Sequence, residues 1–107
     1  MSVDDTFTAI RRGLLEFLIL KIVAADKVYA ADILARLRTA DFATQEGTLY
    51  PLLSRMRRDG LLDYEWRESD AGPPRKYYEL TKSGRARLGV LNAYWKDLNA
   101  TIAQLGE

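Results

Sequence analysis

Apolar residues recur at intervals of three and four along most of the chain and at intervals of two along one part of it. The first pattern predicts helices at Ile10–Ala25, Tyr29–Arg38 and 44–58, and the first of these is apolar enough to be the central one. The second pattern predicts strands at Leu61–Glu68 and 75–80. The segment between the strands is rich in glycine, proline and aspartate, so we expect it to close a β-hairpin.

A last helix is predicted after Thr81, which is suited to be its N-cap. Its apolar residues are spaced three, four, three, four and three apart, as in the seam of a coiled coil. The residues of this seam are Leu88, Leu91, Trp95, Leu98, Ile102 and Leu105. The seam is about 27 Å long at 1.5 Å per residue. Because the domain before it is already compact, we expect a second copy of the chain to cover it.

The predicted fold class is therefore mainly α with a small β-hairpin. The order helix, helix, helix, hairpin, helix is that of a winged helix-turn-helix followed by a C-terminal dimerisation helix. We expect residues 1–80 to form the DNA-binding domain and residues 81–107 to form the dimerisation helix, as one compact unit. The first eight residues begin with polar side chains and are expected to be frayed.

The third predicted helix has two different faces. Its apolar stripe consists of Leu49, Leu52, Leu53 and Met56. The opposite side is small and polar, and the last turn carries Arg55, Arg57 and Arg58, where cations complement the helix dipole. Gly60 can adopt the left-handed conformation that ends such a helix. A short helix with these properties is suited to enter the major groove of DNA.

The start of this helix contains a proline. Thr44 is predicted as its N-cap, so Pro51 lies inside the helix, where it removes one backbone hydrogen bond and meets the carbonyl of Gly47. Glycine is the most permissive residue at that earlier position. We therefore expect a kinked or tight first turn and a helix that continues through the proline.

Composition excludes several classes of function. The chain has neither cysteine nor histidine, which excludes disulfides, zinc sites built on these residues and nucleophiles activated by histidine. It also lacks a glycine-rich phosphate loop. We therefore expect no enzyme, no metal and no cofactor. The apolar run Leu14–Ala25 is interrupted by Glu16 and Lys21, so neither a membrane span nor a signal peptide is expected, and the predicted location is cytoplasmic.

Charge alone gives weak support for DNA binding. The formal net charge of the 107 residues is +1. Residues 44–79 carry six lysines and arginines against seven aspartates and glutamates. A DNA-binding surface must therefore arise from the segregation of these charges rather than from their sum. A winged-helix module that binds protein instead of DNA stays open as the alternative function.

Four stretches of the chain resemble the PadR-like transcriptional regulators. They are RRGLLE at 11–16, GTLYPLL at 47–53, DGLL at 59–62 and RKYYELTKSG at 75–84. The chain departs from the family at 28–32, where VYAAD stands in place of a more usual Gly-Tyr-Glu pattern. The resemblance implies a homodimeric regulator, in particular a repressor, that binds pseudo-palindromic double-stranded DNA.

The predicted DNA contacts come from three elements. They are Thr44, Gln45, Thr48, Tyr50, Ser54, Arg55 and Arg58 around the third helix, Arg75 and Lys76 of the hairpin, and Arg11 and Arg12 of the first helix. Hydroxyl and amide groups suit bases and phosphates, and the cations suit phosphates. Some of them also have a structural alternative, in which Thr44 only caps, Tyr50 only packs, and Arg55 and Arg58 only complement the helix dipole and contact solvent.

The remaining charged and aromatic residues of this region have structural interpretations. Arg57 lies nearer the apolar stripe and is expected to pair with an acidic residue of the chain. The hairpin cations, among them Arg67, can instead pair across the strands with Glu65 or Glu68 and not reach DNA. A further group of aromatic residues, Tyr64, Trp66 and Tyr78, is expected to pack the hairpin against a helix.

The single C-terminal helix resembles the short subclass of the PadR-like family. Some members of that subclass are multidrug-sensing repressors that bind flat aromatic ligands between paired tryptophans at the dimer centre. Trp95 lies where such a tryptophan would be, and with Tyr94, Phe17 and Leu14 it is a candidate site for a small aromatic effector. The alternative is that Trp95 is an ordinary core residue stacked across the dimer axis.

Overall fold

The computed structural model describes residues 3–70 and 72–106, with side chains from Phe7 onward. Its elements are α1 (Val3–Ala25), α2 (Ala30–Thr39), α3 (Glu46–Arg58), β1 (Leu62–Ser69), β2 (Gly72–Leu80) and α4 (Lys82–Gln104). This is the predicted order, and the mainly helical fold with one antiparallel hairpin is confirmed. No helix in the described part of the chain has an apolar stretch long enough to cross a bilayer.

Helix α1 begins earlier than predicted, at Val3 instead of Ile10. The sequence explains the extension, because Phe7 and Ile10 continue the three- and four-residue spacing that leads into the apolar stripe. The described helix thus includes residues 3–8 of the segment expected to be frayed, and Met1 and Ser2 lie outside the described residues.

The hydrophobic core gathers around α1, as its apolar pattern predicts. The fully buried side chains are Ile19, Leu20, Val28, Ile33, Leu37, Leu49, Leu53, Met56 and Leu62. They come from α1, α2, α3, the base of the hairpin and the α1–α2 connection. Val28 also forms a β-bridge with Tyr78, which fastens the hairpin to the helical layer. The core thus holds α3 by one face and leaves its other face exposed.

The N-cap of α3 lies one residue later than predicted. Gln45, not Thr44, is the N-cap, because Gln45 has the extended backbone of that position (φ −81°, ψ 151°). The hydroxyl of Thr44 donates to the carbonyl of Phe42 at 3.0 Å. The helix continues through Pro51. Its first turn is tight, because the Gln45 carbonyl accepts the N–H groups of Thr48 and Leu49, both at 3.0 Å.

The end of α3 follows the prediction for Gly60. This residue has φ +78°, and its N–H donates to the Arg57 carbonyl at 3.0 Å. The N–H of Leu61 donates to the Met56 carbonyl at 2.9 Å. Together these bonds form a Schellman motif, which turns the chain from α3 directly into the hairpin.

The hairpin, which we call the wing, is longer than predicted and its loop is shorter. Ser69 pairs with Gly72, so β2 includes the two prolines that were expected in the loop. A register shift between Arg67 and Ser69 accommodates them, since proline cannot donate to a ladder. Trp66 is 61% exposed, so its predicted packing against a helix was wrong. Only the base of the wing meets the core, where Tyr78 is buried and Tyr64 half-buried.

Thr81 caps α4 as predicted, and its hydroxyl accepts the N–H of Gly84 at 2.9 Å. Leu88 and Leu91 pack against the core of their own chain. Farther along the same helix, Trp95 is 39%, Ile102 56% and Leu105 81% exposed. The predicted seam therefore begins inside the domain and continues as an apolar line on its surface.

Candidate nucleic-acid interface

Two clefts run along the exposed side of α3, and every predicted DNA contact lines one of them. We call the first the α1 cleft, because it lies between α3 and the start of α1. Its predicted residues are Arg11, Arg12, Thr44, Gln45, Thr48, Arg55 and Arg58. We call the second the wing cleft, and its predicted residues are Tyr50, Ser54, Arg75 and Lys76. The structure thus brings the predicted set together on both sides of one helix.

Charges around α3 are segregated, although their sum is near zero. Arg11, Arg12, Arg55 and Arg58 line the α1 cleft, and no carboxylate of the described residues does. Arg75 and Lys76 line the wing cleft, again without a carboxylate from the described part of the chain. Such a distribution attracts a polyanion to this side of the molecule.

Several carboxylates of the wing are held by other cations. Lys27 lies 3.3 Å from both Glu65 and Glu79, and the Arg67 guanidinium lies 2.7 Å from Glu65. Arg67 and Lys27 hold the pKa of Glu65 below its ordinary value of 4.5. Arg67 therefore pairs with Glu65 within one strand, whereas the structural alternative for it was a pair across the hairpin, which was wrong.

Five cations of the clefts are available to a ligand. No ion pair among the side chains from Phe7 onward that the structure describes involves Arg12, Arg55, Arg58, Arg75 or Lys76. Two of them, Arg55 and Arg58, lie in the last turn of α3 and are exposed. They combine a free charge with a fixed backbone, which suits contact with a phosphate.

Aromatic rings orient the two wing cations. The guanidinium of Arg75 lies 4.4 Å from the ring centre of Tyr29. The ammonium of Lys76 lies 4.7 Å from the ring of Tyr64 and 5.4 Å from that of Trp66. Such contacts at exposed positions contribute about 0.5–1 kcal/mol and leave the charge accessible. Tyr29 and Trp66 were not predicted as part of this site, although pairing Leu62 with Leu80 in the hairpin already sets Trp66 opposite Lys76.

Arg57 has the internal role predicted for it. Its Nε lies 4.0 Å from Asp63 Oδ1, and its guanidinium lies 4.6 Å from the ring centre of Tyr64. It thus joins the last turn of α3 to the first residues of β1. The neighbouring Arg58 has no such partner among the described side chains. The two adjacent arginines therefore differ, because Arg57 pairs within the chain and Arg58 is available to a ligand.

Arg11 makes two contacts within the chain that were not predicted from the sequence. One terminal nitrogen donates to the carbonyl of Ala43 at 2.7 Å. The guanidinium also lies 4.0 Å from the ring centre of Phe42. Both partners belong to the connection between α2 and α3. Ala43 is 32 residues from Arg11 in the sequence. Arg11 therefore joins the start of α1 to the residues that precede α3.

The predicted effector residues differ in accessibility. Tyr94 and Trp95 are exposed on α4, and Leu14 is half-buried. Phe17 is only 8% exposed, and the Lys21 ammonium lies 5.5 Å from its ring centre. None of the four lines either cleft of the described molecule. The described residues also include no cluster of acidic side chains that could hold a metal ion.

Residues 19–90 match the family model described as the transcriptional regulator PadR-like family. The chain belongs to this family. The match spans the last two turns of α1, the whole of α2, α3 and the wing, and the start of α4. As a PadR-like regulator, the protein is a DNA-binding transcriptional regulator, and the comparisons favour this function over the protein-binding alternative.

Similar proteins support the same assignment. This PadR-like regulator is 46% identical to a PadR-like transcription factor of Bacteroides fragilis, with a TM-score of 0.83 over 95% of this chain and 99% of the other. It is 35% identical to a PadR-like transcriptional regulator of Bacillus cereus, with a TM-score of 0.80 over 89% and 95%. A transcriptional regulator of Mycobacterium tuberculosis is 37% identical over 78 residues, which are 73% of this chain and 72% of that one.

Proposed function

We propose that the protein is a homodimeric transcriptional repressor that acts in the cytoplasm on a pseudo-palindromic DNA duplex. The α3 helices of the two protomers would enter successive major grooves, about 34 Å apart. The segregation of charge carries this proposal, since two clefts lined by cations flank the exposed side of α3. A surface for a protein partner would not require that pattern.

We assign roles within this surface by chemistry. Gln45, Thr48 and Ser54 present amide and hydroxyl groups near the start and middle of α3, which suits base edges. The cations, together with Thr44 and Tyr50, suit the phosphates on either side of the groove. These cations are Arg12, Arg55, Arg58, Arg75 and Lys76. Phosphate contacts set the register of the protein on the duplex, and the base contacts supply sequence preference.

The apolar line on α4 supports the dimer. Trp95, Ile102 and Leu105 are exposed along the seam that Leu88 and Leu91 begin. A second copy of the same helix would cover them in knobs-into-holes packing. We propose residues 81–107 as the dimerisation unit and residues 1–80 as the DNA-binding unit, which together form one compact protomer.

We infer a place for an effector on the same helix. Trp95 and Tyr94 are exposed aromatic residues, and a flat aromatic molecule can stack on such rings. Leu14 can line the same site, whereas the buried Phe17 offers little surface for direct contact. An effector bound between the two α4 helices would release DNA by shifting the dimer toward a geometry with a different spacing of the α3 helices.

The phosphate role of Arg58 gives a direct test. We expect Arg58→Ala to weaken binding to all duplexes alike and to lower the slope of log affinity against log salt by about 0.9, because one phosphate contact is lost. Fluorescence anisotropy with a labelled duplex across a salt series measures both effects. Arg85→Ala removes the same charge from an exposed site outside both clefts and should leave the slope unchanged. An unchanged slope for Arg58→Ala would refute the assignment.

A further inference from the structure

We propose that Arg11 is a positioning residue for DNA recognition, which fixes the segment before α3 against α1. The segment, residues 40–45, is called the connector below. The proposal rests on the proposed function, because it explains how the base-contacting residues of α3 are held in place. It differs from the sequence-based expectation, in which Arg11 contacts a phosphate.

Both contacts of Arg11 are made to the connector. The guanidinium stacks on Phe42 at 4.0 Å, and one of its terminal nitrogens donates to the Ala43 carbonyl at 2.7 Å. A planar guanidinium can do both at once, since stacking uses its face and leaves the N–H groups at its edge free to donate. Lysine has no such plane and cannot reproduce the pair of contacts.

The connector is fixed at its α2 end by backbone bonds. Asp41 has φ +61°, and its N–H donates to the Arg38 carbonyl at 3.1 Å. The N–H of Phe42 donates to the Leu37 carbonyl at 2.7 Å. These bonds form a Schellman motif at the end of α2. Phe42 is thereby presented to Arg11 in one orientation of the backbone.

At the other end of the connector, α3 begins without a capping side chain. Gln45 is the N-cap, but the structure shows no capping bond from its side chain among the described residues. In the first turn of α3, the Gln45 carbonyl accepts hydrogen bonds from the N–H groups of Thr48 and Leu49. Arg11 bonds to Ala43, two residues before this N-cap. Its contacts therefore help to fix the positions of Gln45 and Thr48.

Helix α1 also contacts the dimerisation helix. Glu16 lies 3.5 Å from Arg87 of α4, five positions along α1 from Arg11. One helix thus carries a polar link to α4 and a polar link to the connector. The position of the α3 start is therefore defined relative to α4, and through it relative to the second protomer of the proposed dimer.

Measurements of DNA binding distinguish a positioning role of Arg11 from a phosphate contact. The probes are a duplex selected from a random-sequence library by the purified protein and a scrambled duplex of the same composition. We expect Arg11→Gln and Arg11→Lys each to weaken binding to the selected duplex by about tenfold, because a base contact is misplaced. Binding to the scrambled duplex and the salt slope should stay as in the unmodified protein. Arg12→Gln, the matched control, should instead weaken both duplexes alike and lower the slope by about 0.9.

Full affinity for Arg11→Lys, together with a lowered slope for Arg11→Gln, would overturn the proposal, because charge alone would then account for Arg11. A second measurement needs no DNA. In the free protein, hydrogen exchange at the Thr48 and Leu49 amides should be several-fold faster in both Arg11 variants, with exchange in α4 unchanged.

Unchanged exchange at Thr48 and Leu49, or exchange that rises equally throughout the chain, would overturn the proposal. The first result would show that Arg11 does not hold the start of α3. The second would show a general loss of stability. If the unmodified protein selects no duplex, the proposed function fails, while the exchange measurement still decides whether Arg11 fixes the connector.

Discussion

Replacing Leu98 by aspartate is expected to convert the protein into monomers and to weaken binding to its selected duplex by at least about a hundredfold. Leu98 lies in the middle of the seam on α4, where the proposed dimer would bury it against a second copy. A buried carboxylate without a partner strongly disfavours association. Because two linked α3 helices would bind one duplex together in the proposed dimer, separation of the protomers should remove the gain from the second half-site.

Sedimentation velocity measures the first effect and fluorescence anisotropy the second. The fold of the monomer should remain, since Leu98 is only half-buried within its own chain and lies outside the hydrophobic core. Asn99→Asp is the matched control, because it adds the same charge at the neighbouring exposed position and should leave the dimer intact. A Leu98→Asp protein that sediments as a dimer would show that the seam is not the interface.

The second large effect is expected at Gly84, in the first turn of α4. A Cβ at this position would overlap the carbonyl oxygen of Leu61, and Leu80 Cδ2 would lie 3.4 Å away. That same carbonyl accepts the N–H of Thr81 at 3.2 Å, so the helix start cannot shift without disturbing its N-cap. We therefore expect Gly84→Ala to lower the free energy of unfolding by about 3 kcal/mol, at the upper end for an overpacked site.

Urea unfolding at one fixed protein concentration measures this change, since the proposed dimer would make stability depend on concentration. Gly89→Ala is the matched control in the same helix. Its Cβ would meet no atom within 4 Å in the described structure. Alanine favours a helix interior over glycine, so this variant should gain about 0.5–1 kcal/mol. Equal effects of the two substitutions would show that the contact between Gly84 and Leu61 does not limit the side chain.

The helices and the hairpin could be predicted because their periodicity is local. Capping at Gly60 and Thr81 follows from residue type and neighbouring spacing, and the structure has both. The exposure of Trp66 could not be predicted in this way, because alternation fixes the face of a strand but not whether a helix covers it. The N-cap of α3 could not be predicted in this way either. Thr44 and Gln45 are adjacent, and the backbone geometry of the connector decides which of them is the N-cap.

The candidate site shows a similar division. The polar residues proposed as DNA contacts could be named from the sequence pattern and the resemblance, but the partners of Arg67 and Arg11 could not. Arg67 pairs within its own strand, whereas Arg11 bonds to a carbonyl 32 residues away. Segregation of charge is also a property of the folded surface. The net charge of +1 does not reveal this segregation. It also counts the carboxylates of the wing, which pair with lysines and arginines outside the clefts.

The most direct test of DNA recognition by this surface is sequence-dependent binding across a salt series. A duplex selected from a random library and its scrambled counterpart are titrated with the purified protein, and fluorescence anisotropy gives both affinities at each salt concentration. We predict that the selected duplex is pseudo-palindromic and is bound about a thousandfold more tightly or better, with a steep loss of affinity as salt rises. Equal, weak binding of the two duplexes would contradict the account.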